Sequence, residues 1–304
     1  MNTGAQPLTS EARTALLAQA NMLRPELHRY CARLMGSTFE GEDVVQDALV
    51  RAMAALQDLH EAPALRPWLF RIAHNRALDL LRSRQTRTAE PIEAASDVAD
   101  AATPDPTEAL MRREAVEAAI SRFLELGVSQ RSIVILKDVL GEPLSEIAAL
   151  LDLSVDAVKG HLARGRAQLR HVNPQAALAS DARPTSAAVA HYVELFNQRD
   201  WDGLRALLAD DVKLVQASHP ARAGRAQVGA FFTTYAKIDA VRLVPAWLEG
   251  QEVIAVFENG AGASVSYLMW LEWSGDQISF IHDYRYARYV VAEARVAFTE
   301  DPPA

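Results

Sequence analysis

The stretch 142-EPLSEIAALLDLSVDAVKGHLARGRAQLR-170 decides how the first half of this 304-residue chain is read. Ser145 is placed to cap a short helix, a tight turn falls at Asp152–Leu153, and Ser154 is placed to cap a second helix with Asp156 near its positive end. At about 100° per residue, Val155, Val158, Leu162 and Leu169 fall on one apolar stripe. Lys159, Arg164 and Arg170 lie away from it. Gly160, Ala163 and Ala167 share the outward face, where small residues let a backbone come close to a groove. An anchor stripe with basic side chains outside is what a helix reading the major groove of DNA needs, so the segment reads as a helix-turn-helix. Arg166 belongs to the same basic run, and His161 sits at the flank, open between base contact and plain exposure.

Charge qualifies that reading. The chain carries 31 basic and 39 acidic residues, a net charge of −8, which argues against a free-standing nucleic-acid binder. The charges are unevenly spread. Residues 62–87 hold six Arg against one acid, Asp79, and residues 159–170 hold four basic groups and no acid. Between them, residues 88–108 hold six acids and no Lys or Arg. Two basic patches separated by an acidic strip imply DNA contact that is weak alone and depends on a partner.

Upstream, 3.6-residue periodicity predicts helices. In 41–56, Val45, Ala48, Leu49, Ala52 and Leu56 share one face, and Asp43, Gln46, Asp47 and Val50 lie roughly opposite. Acids around an aliphatic residue suit docking onto a basic protein surface; periodicity alone favours a solvated face. In 66–84, Pro67 stands at a first-turn position, Leu69, Phe70, Ala73, Ala77, Leu80 and Leu81 make the buried face, and Arg71, Asn75 and Arg82 line the outside. Trp68 at its edge is open between core and base stacking; basic and amide groups beside an aromatic suit single-stranded or distorted DNA. The single cysteine, Cys31, excludes an intrachain disulfide and a cysteine-cluster zinc site, and reads as a buried helix thiol.

From residue 185 the character changes. Two short helical patterns lead into alternating, β-branched and aromatic runs at 253–257, 264–273 and 277–286, with Gly275-Asp276 as a turn. Four of the five Trp lie in this last third. The expected fold class is multidomain: two all-α domains, the second a helix-turn-helix, followed by an α+β domain, which the resemblance named below makes an NTF2-like cone. The expected boundaries are 10–87, an acidic linker 88–108, 109–171, a linker 172–185, 186–290 and a tail 291–304. No window approaches the ~18 apolar residues of a membrane span, so the expectation is a cytoplasmic protein without membrane contact.

Taken together and in this order, these motifs resemble a sigma factor of the extracytoplasmic-function (ECF) group, initiation subunits of bacterial RNA polymerase. The resemblance covers roughly residues 15–171. It implies that Asp43, Gln46, Asp47 and Val50 dock on the clamp helices of the polymerase largest subunit. It implies that Trp68, Arg71, Asn75 and Arg82 capture the melted minus-ten element, with the loop around 59–65 holding a flipped base. Lys159, His161, Arg164, Arg166 and Arg170 would meet the minus-thirty-five element. The acidic strip would thread the polymerase cleft, a channel that accepts a nucleic-acid-like charge.

The C-terminal third resembles the SnoaL-like branch of the NTF2-like fold, through 188-AVAHYVELFNQRDWDGLRALLADDV-212 and 276-DQISFIHDYRY-286. In a subset of the group such an extension acts as a built-in regulator, implying intramolecular contact with the sigma domains. Some SnoaL-like proteins are enzymes, which makes His219, His282 and Asp283 the titratable candidates and Trp247, Tyr267 and Tyr284 the pocket-lining ones. Adjacent strand residues point to opposite faces, so His282 and Asp283 do not share a pocket without a bulge. No metal-ligand spacing, phosphate loop or nucleophile motif is present, so no cofactor or metal is expected and the chain reads as a non-enzyme. Two alternatives stay open: a polymerase-independent helix-turn-helix regulator, and a bifunctional protein with a ligand-binding or catalytic C-terminal pocket.

Overall fold

The computed structural model describes residues 8–88, 120–171, 183–217, 219–238, 240–258 and 264–299. The acidic strip therefore lies outside the described residues, apart from Thr88. The chain divides into two compact units, Met1–Leu178 and Ala179–Ala304.

The first unit is helical. α1 (Ser10–Met22) starts at Thr9, whose hydroxyl accepts from the Ala12 amide. α2 (Arg24–Met35) ends on Gly36, at φ 73°, a left-handed position that favours glycine. α3 (Thr38–Ala55) follows at once, capped by Ser37. It lies so tightly on α2 that a Cβ at Gly41 would come within 2.5 Å of the Ala32 backbone. α4 (Leu65–Thr88) closes the group and buries Leu69, Phe70, Ala73 and Ala77.

After a 3-10 turn (Ile120–Glu125), α5 (Val128–Val134) runs into a π-helical turn, Ile135–Val139. α6 (Leu144–Leu151) and α7 (Val155–His171) complete the helix-turn-helix. Asp152 supplies the left-handed turn at φ 56°, and Ser154 accepts from the Ala157 amide as the cap of α7. Ser145 does not cap α6; that helix starts from Pro143 with no side-chain cap. Gly160 faces inward rather than toward a groove. Gly165 plays the close-approach part, since a Cβ there would meet Val134 Cγ2 at 2.7 Å.

Sequence reading treated the two helical groups as separate domains, yet here they share one hydrophobic core. Leu27, Tyr30 and Leu34 of α2 belong to the same buried cluster as Phe123, Ile133, Ile147 and Val158. The reason lies in apolar area beyond each short helical group's own needs. Amphipathic helices of 7 and 8 residues, such as α5 and α6, cannot enclose that surface alone.

The second unit is α+β. α8 (Ala187–Asn197) and α9 (Trp201–Ala206) precede β1 (Leu208–Gln216) and the short β2 (Arg222–Ala223). α10 (Arg225–Tyr235) then leads to β3 (Arg242–Leu248), β4 (Gln251–Phe257), β5 (Tyr267–Ser274) and β6 (Gln277–Asp283). The sheet order is β2-β1-β6-β5-β4-β3, antiparallel except for the β1–β6 pair. Gly275, at φ 62°, makes the expected β5–β6 turn. Tyr192, Phe196, Phe232 and Tyr235 from the helices pack with Leu214, Tyr267, Met269 and Ile281 from the sheet into one core. The segment read as a tail is tied to the sheet in its described part: Ala297 and Trp247 exchange both backbone hydrogen bonds at 2.8 Å.

Candidate functional site

The first face lies on α3. Val44, Val45, Ala48 and Leu49 point into the core, which pushes the intervening positions outward. Asp43 is exposed, Gln46 and Asp47 are half-buried, and Val50 is 54% exposed. Met53, 44% exposed one turn on, extends this apolar spot and was missed from sequence. Its spacing of three from Val50 was the available signal. Asp47 accepts a 2.7 Å hydrogen bond from Arg76 of α4, so the acidic face is held to the neighbouring helix.

The second face is on α4, where Arg71, Asn75 and Arg82 are exposed and Trp68 is half-buried against the common core. Beneath them, the Tyr30 hydroxyl meets His74 Nδ1 at 2.7 Å. Burial, with the nearby Arg82 charge, holds the imidazole down to about 4, so it stays neutral near pH 7.

The third face is on α7. Lys159 and Arg170 are exposed and Arg164 is half-buried. Lys159 also touches Asp156 at 3.1 Å across one turn. Two of the five positions singled out from sequence face elsewhere. His161 is only 8% exposed, with Nδ1 3.4 Å from an Arg164 nitrogen. Arg166 reaches inward to Asp138 of the π turn through two hydrogen bonds, at 2.9 and 2.5 Å. Asp138 is almost wholly buried. The π turn thus aims a carboxylate at α7, which no local sequence signal announces.

In the second unit the titratable candidates separate. Asp283 faces the core, where it accepts from the Tyr235 hydroxyl at 3.2 Å and from the Arg285 backbone amide at 2.8 Å. Tyr235 in turn meets the Tyr267 hydroxyl at 2.7 Å. Burial pushes the Asp283 carboxyl up to about 6, against the opposing effect of these hydrogen bonds and of Arg285. His282 lies on the other face, stacked between Trp270 and Phe280 with ring centroids 4.5 and 4.2 Å away. His219 stacks on Tyr286 at 3.8 Å. Of the lining candidates, Tyr267 belongs to the Asp283 cluster. Trp247 instead donates its indole N–H to the Arg183 carbonyl at 2.8 Å, and Tyr284 is buried. Tyr192 and Tyr235, neither singled out from sequence, complete the inner polar set. Among the described residues, no group of three or more His, Cys, Asp or Glu is placed to hold a metal ion. Among them too, no helix is long and apolar enough to cross a membrane.

A helical unit with a basic helix-turn-helix and an acid-faced helix, joined to an α+β domain, defines a multidomain protein of the helix-turn-helix class. Residues 20–87 match Sigma-70 region 2, 116–169 match Sigma-70 region 4, and 189–295 match the SnoaL-like domain. The chain is 37% identical over 135 residues to RNA polymerase sigma factor CnrH of Cupriavidus metallidurans, covering 42% of this chain and 70% of that one. It is 33% identical over 228 residues to the ECF RNA polymerase sigma factor SigG of Mycobacterium tuberculosis, covering 67% of this chain. That match spans 61% of the relative's length. A crystal structure of the extracytoplasmic-function sigma factor SigJ of Mycobacterium tuberculosis aligns over 89% of this chain and 98% of its own, at 21% identity and a TM-score of 0.36. The chain belongs to the RNA polymerase sigma factors of the ECF group, with a SnoaL-like domain at its C-terminal side.

Proposed function

We propose that this protein acts in the cytoplasm as a subunit of RNA polymerase that directs promoter recognition and transcription initiation. The carrying observation is the exposed Asp43–Val50–Met53 face of α3, on the same unit as two basic helical faces. Asp43, Gln46, Asp47 and Val50 dock on the polymerase clamp helices, with Met53 widening the apolar contact. Trp68, Arg71, Asn75 and Arg82 take the minus-ten strand. Lys159, Arg164 and Arg170 take the minus-thirty-five element. His161 contributes through its contact with Arg164, and Arg166 by holding α7 on the π turn. The SnoaL-like domain adjusts this activity by intramolecular contact with the sigma domains. It is not assigned catalysis, since His282 and Asp283 lie on opposite faces of the sheet.

Run-off transcription with purified core polymerase tests the reading. The expected outcome is promoter-specific product that Asp43→Lys with Val50→Glu reduces at least tenfold, alongside lost co-elution with core. A protein that bound duplex DNA tightly without core, and ignored the double variant, would be the polymerase-independent regulator instead.

A further inference from the structure

Spacing assigns Val155, Val158, Leu162 and Leu169 to one anchor stripe of α7, and in the structure the last three are buried. Val155 is not. It stands in the first turn of the helix, 39% exposed, with its apolar surface left to water. Beside it the Asp156 side chain is 86% exposed, and Lys159 Nζ meets its carboxylate at 3.1 Å. The first turn of α7 thus shows solvent an isopropyl group and a carboxylate, neither of which suits a phosphate backbone.

The outward line of α7 runs from Asp156 to Ala163 and on to Arg170, all three exposed. Each step is seven residues, about two helical turns, so the three share one side. A methyl group in the middle lets the helix lie close to the floor of a groove. Arg170, at the far end, suits a phosphate. The first turn is then the part that meets base edges, as the leading end of such a helix does.

Chemistry narrows which bases. A carboxylate is acceptor-only, and the major groove offers it two donors, cytosine N4 and adenine N6. Adenine N6 lies between two acceptors, its own N7 and thymine O4, and both repel a third. Cytosine N4 has an acceptor, guanine O6, on one side only. Lys159 lowers the cost of bringing the anion into the groove. Its ammonium has three donors; one holds Asp156 and the others are free to turn to a phosphate. Val155, without a polar atom in its side chain, matches the one apolar group on a base edge, the thymine methyl.

We infer that the first turn of α7 sets sequence choice at the minus-thirty-five element. Asp156 accepts from cytosine N4, Val155 packs on the methyl of a thymine in an adjoining pair, and Lys159 positions the carboxylate while meeting a phosphate. The inference rests on the sigma-factor reading above and adds two residues that are not basic. Asp156 acts mainly by exclusion: any base that presents an acceptor there faces a carboxylate.

The test uses holoenzyme made from the full chain and core polymerase, offered promoters randomised across the minus-thirty-five element, with the bound promoters sequenced. The wild type is expected to favour cytosine at one position and thymine next to it. Asp156→Ala should flatten the cytosine preference about tenfold and leave other positions alone. Asp156→Asn, which keeps an acceptor in the first turn and stands if Asp156→Ala fails to fold, should move the preference to adenine, the base that an amide pairs with. Lys159→Ala should weaken all sequences, with a smaller loss of cytosine preference. Uracil in place of the selected thymine should weaken wild-type binding about threefold and Val155→Ala binding not at all. Asp156 variants that bind all sequences more weakly without changing any preference would overturn the inference and leave the acid a helix-start residue. Equal uracil effects on wild type and Val155→Ala would overturn the part given to Val155. Failure of the sigma-factor reading looks different: no promoter is selected by any form, wild type included.

Discussion

At the residue scale, the five side chains picked from α7 divide by what lies across from them. Helical spacing placed Arg166 among basic neighbours, but its partner Asp138 sits 28 positions earlier on an irregular turn. Arg166→Ala would leave a buried carboxylate without its cation, a change costing about 3–5 kcal/mol. Lys159 meets Asp156 in the open, and exposed pairs of that kind contribute little. Lys159→Ala should leave stability within about 0.5 kcal/mol while lowering the log–log salt slope of DNA binding by about 0.9. Denaturant unfolding and a salt titration measure the two quantities. Equal effects of the two substitutions on stability would contradict this division.

At the element scale, β6 shows how strand alternation settled a question that residue type left open. His282 and Asp283 are adjacent, so one entered the core and the other the opposite face. The phenols that meet Asp283 come from α10 and β5, distant in sequence, and nothing in the local pattern announced them. The carboxyl is held up to about 6, against about 3.9 in an unfolded chain. Between those values the folded form binds more protons than the unfolded one. Stability therefore falls as pH rises from about 4 to about 6 and levels off above, a loss of as much as about 3 kcal/mol. Asp283→Asn should flatten that part of the profile. Thermal unfolding followed by Trp fluorescence from pH 4 to 7.5 reads it directly, since four of the five Trp lie in this unit. A variant with an unchanged slope would remove Asp283 as the source.

At the scale of the whole molecule, net charge and division into units carry the argument. If Lys159, Arg164 and Arg170 of α7 meet DNA as proposed, this chain of charge −8 neutralises about three phosphates there, a salt slope near −3. Free duplex affinity should accordingly be weak at physiological salt. The first unit has its own core, so a chain ending at Leu178 should still unfold cooperatively. If the tethered SnoaL-like domain regulates it as proposed, at the high local concentration a tether gives, promoter output with core polymerase should differ from that of the full chain by severalfold. Run-off transcription compares the two. Unchanged output would leave that domain without a regulatory part.

The sequence by itself determined the element types, the helix-turn-helix and its Asp152 turn, the outward face of α3, and the strand alternation separating His282 from Asp283. Each follows from local chemistry: 3.6- and 2-residue periods, capping hydroxyls and turn residues act within a few positions of the chain. Only the tertiary structure decided that Arg166 and His161 turn inward, that Asp283 meets Tyr235 and Tyr267, and that the two helical groups share a core. Those outcomes depend on which surfaces meet across tens of residues. There, burial of apolar area and pairing of buried polar groups choose among arrangements that local pattern leaves equivalent.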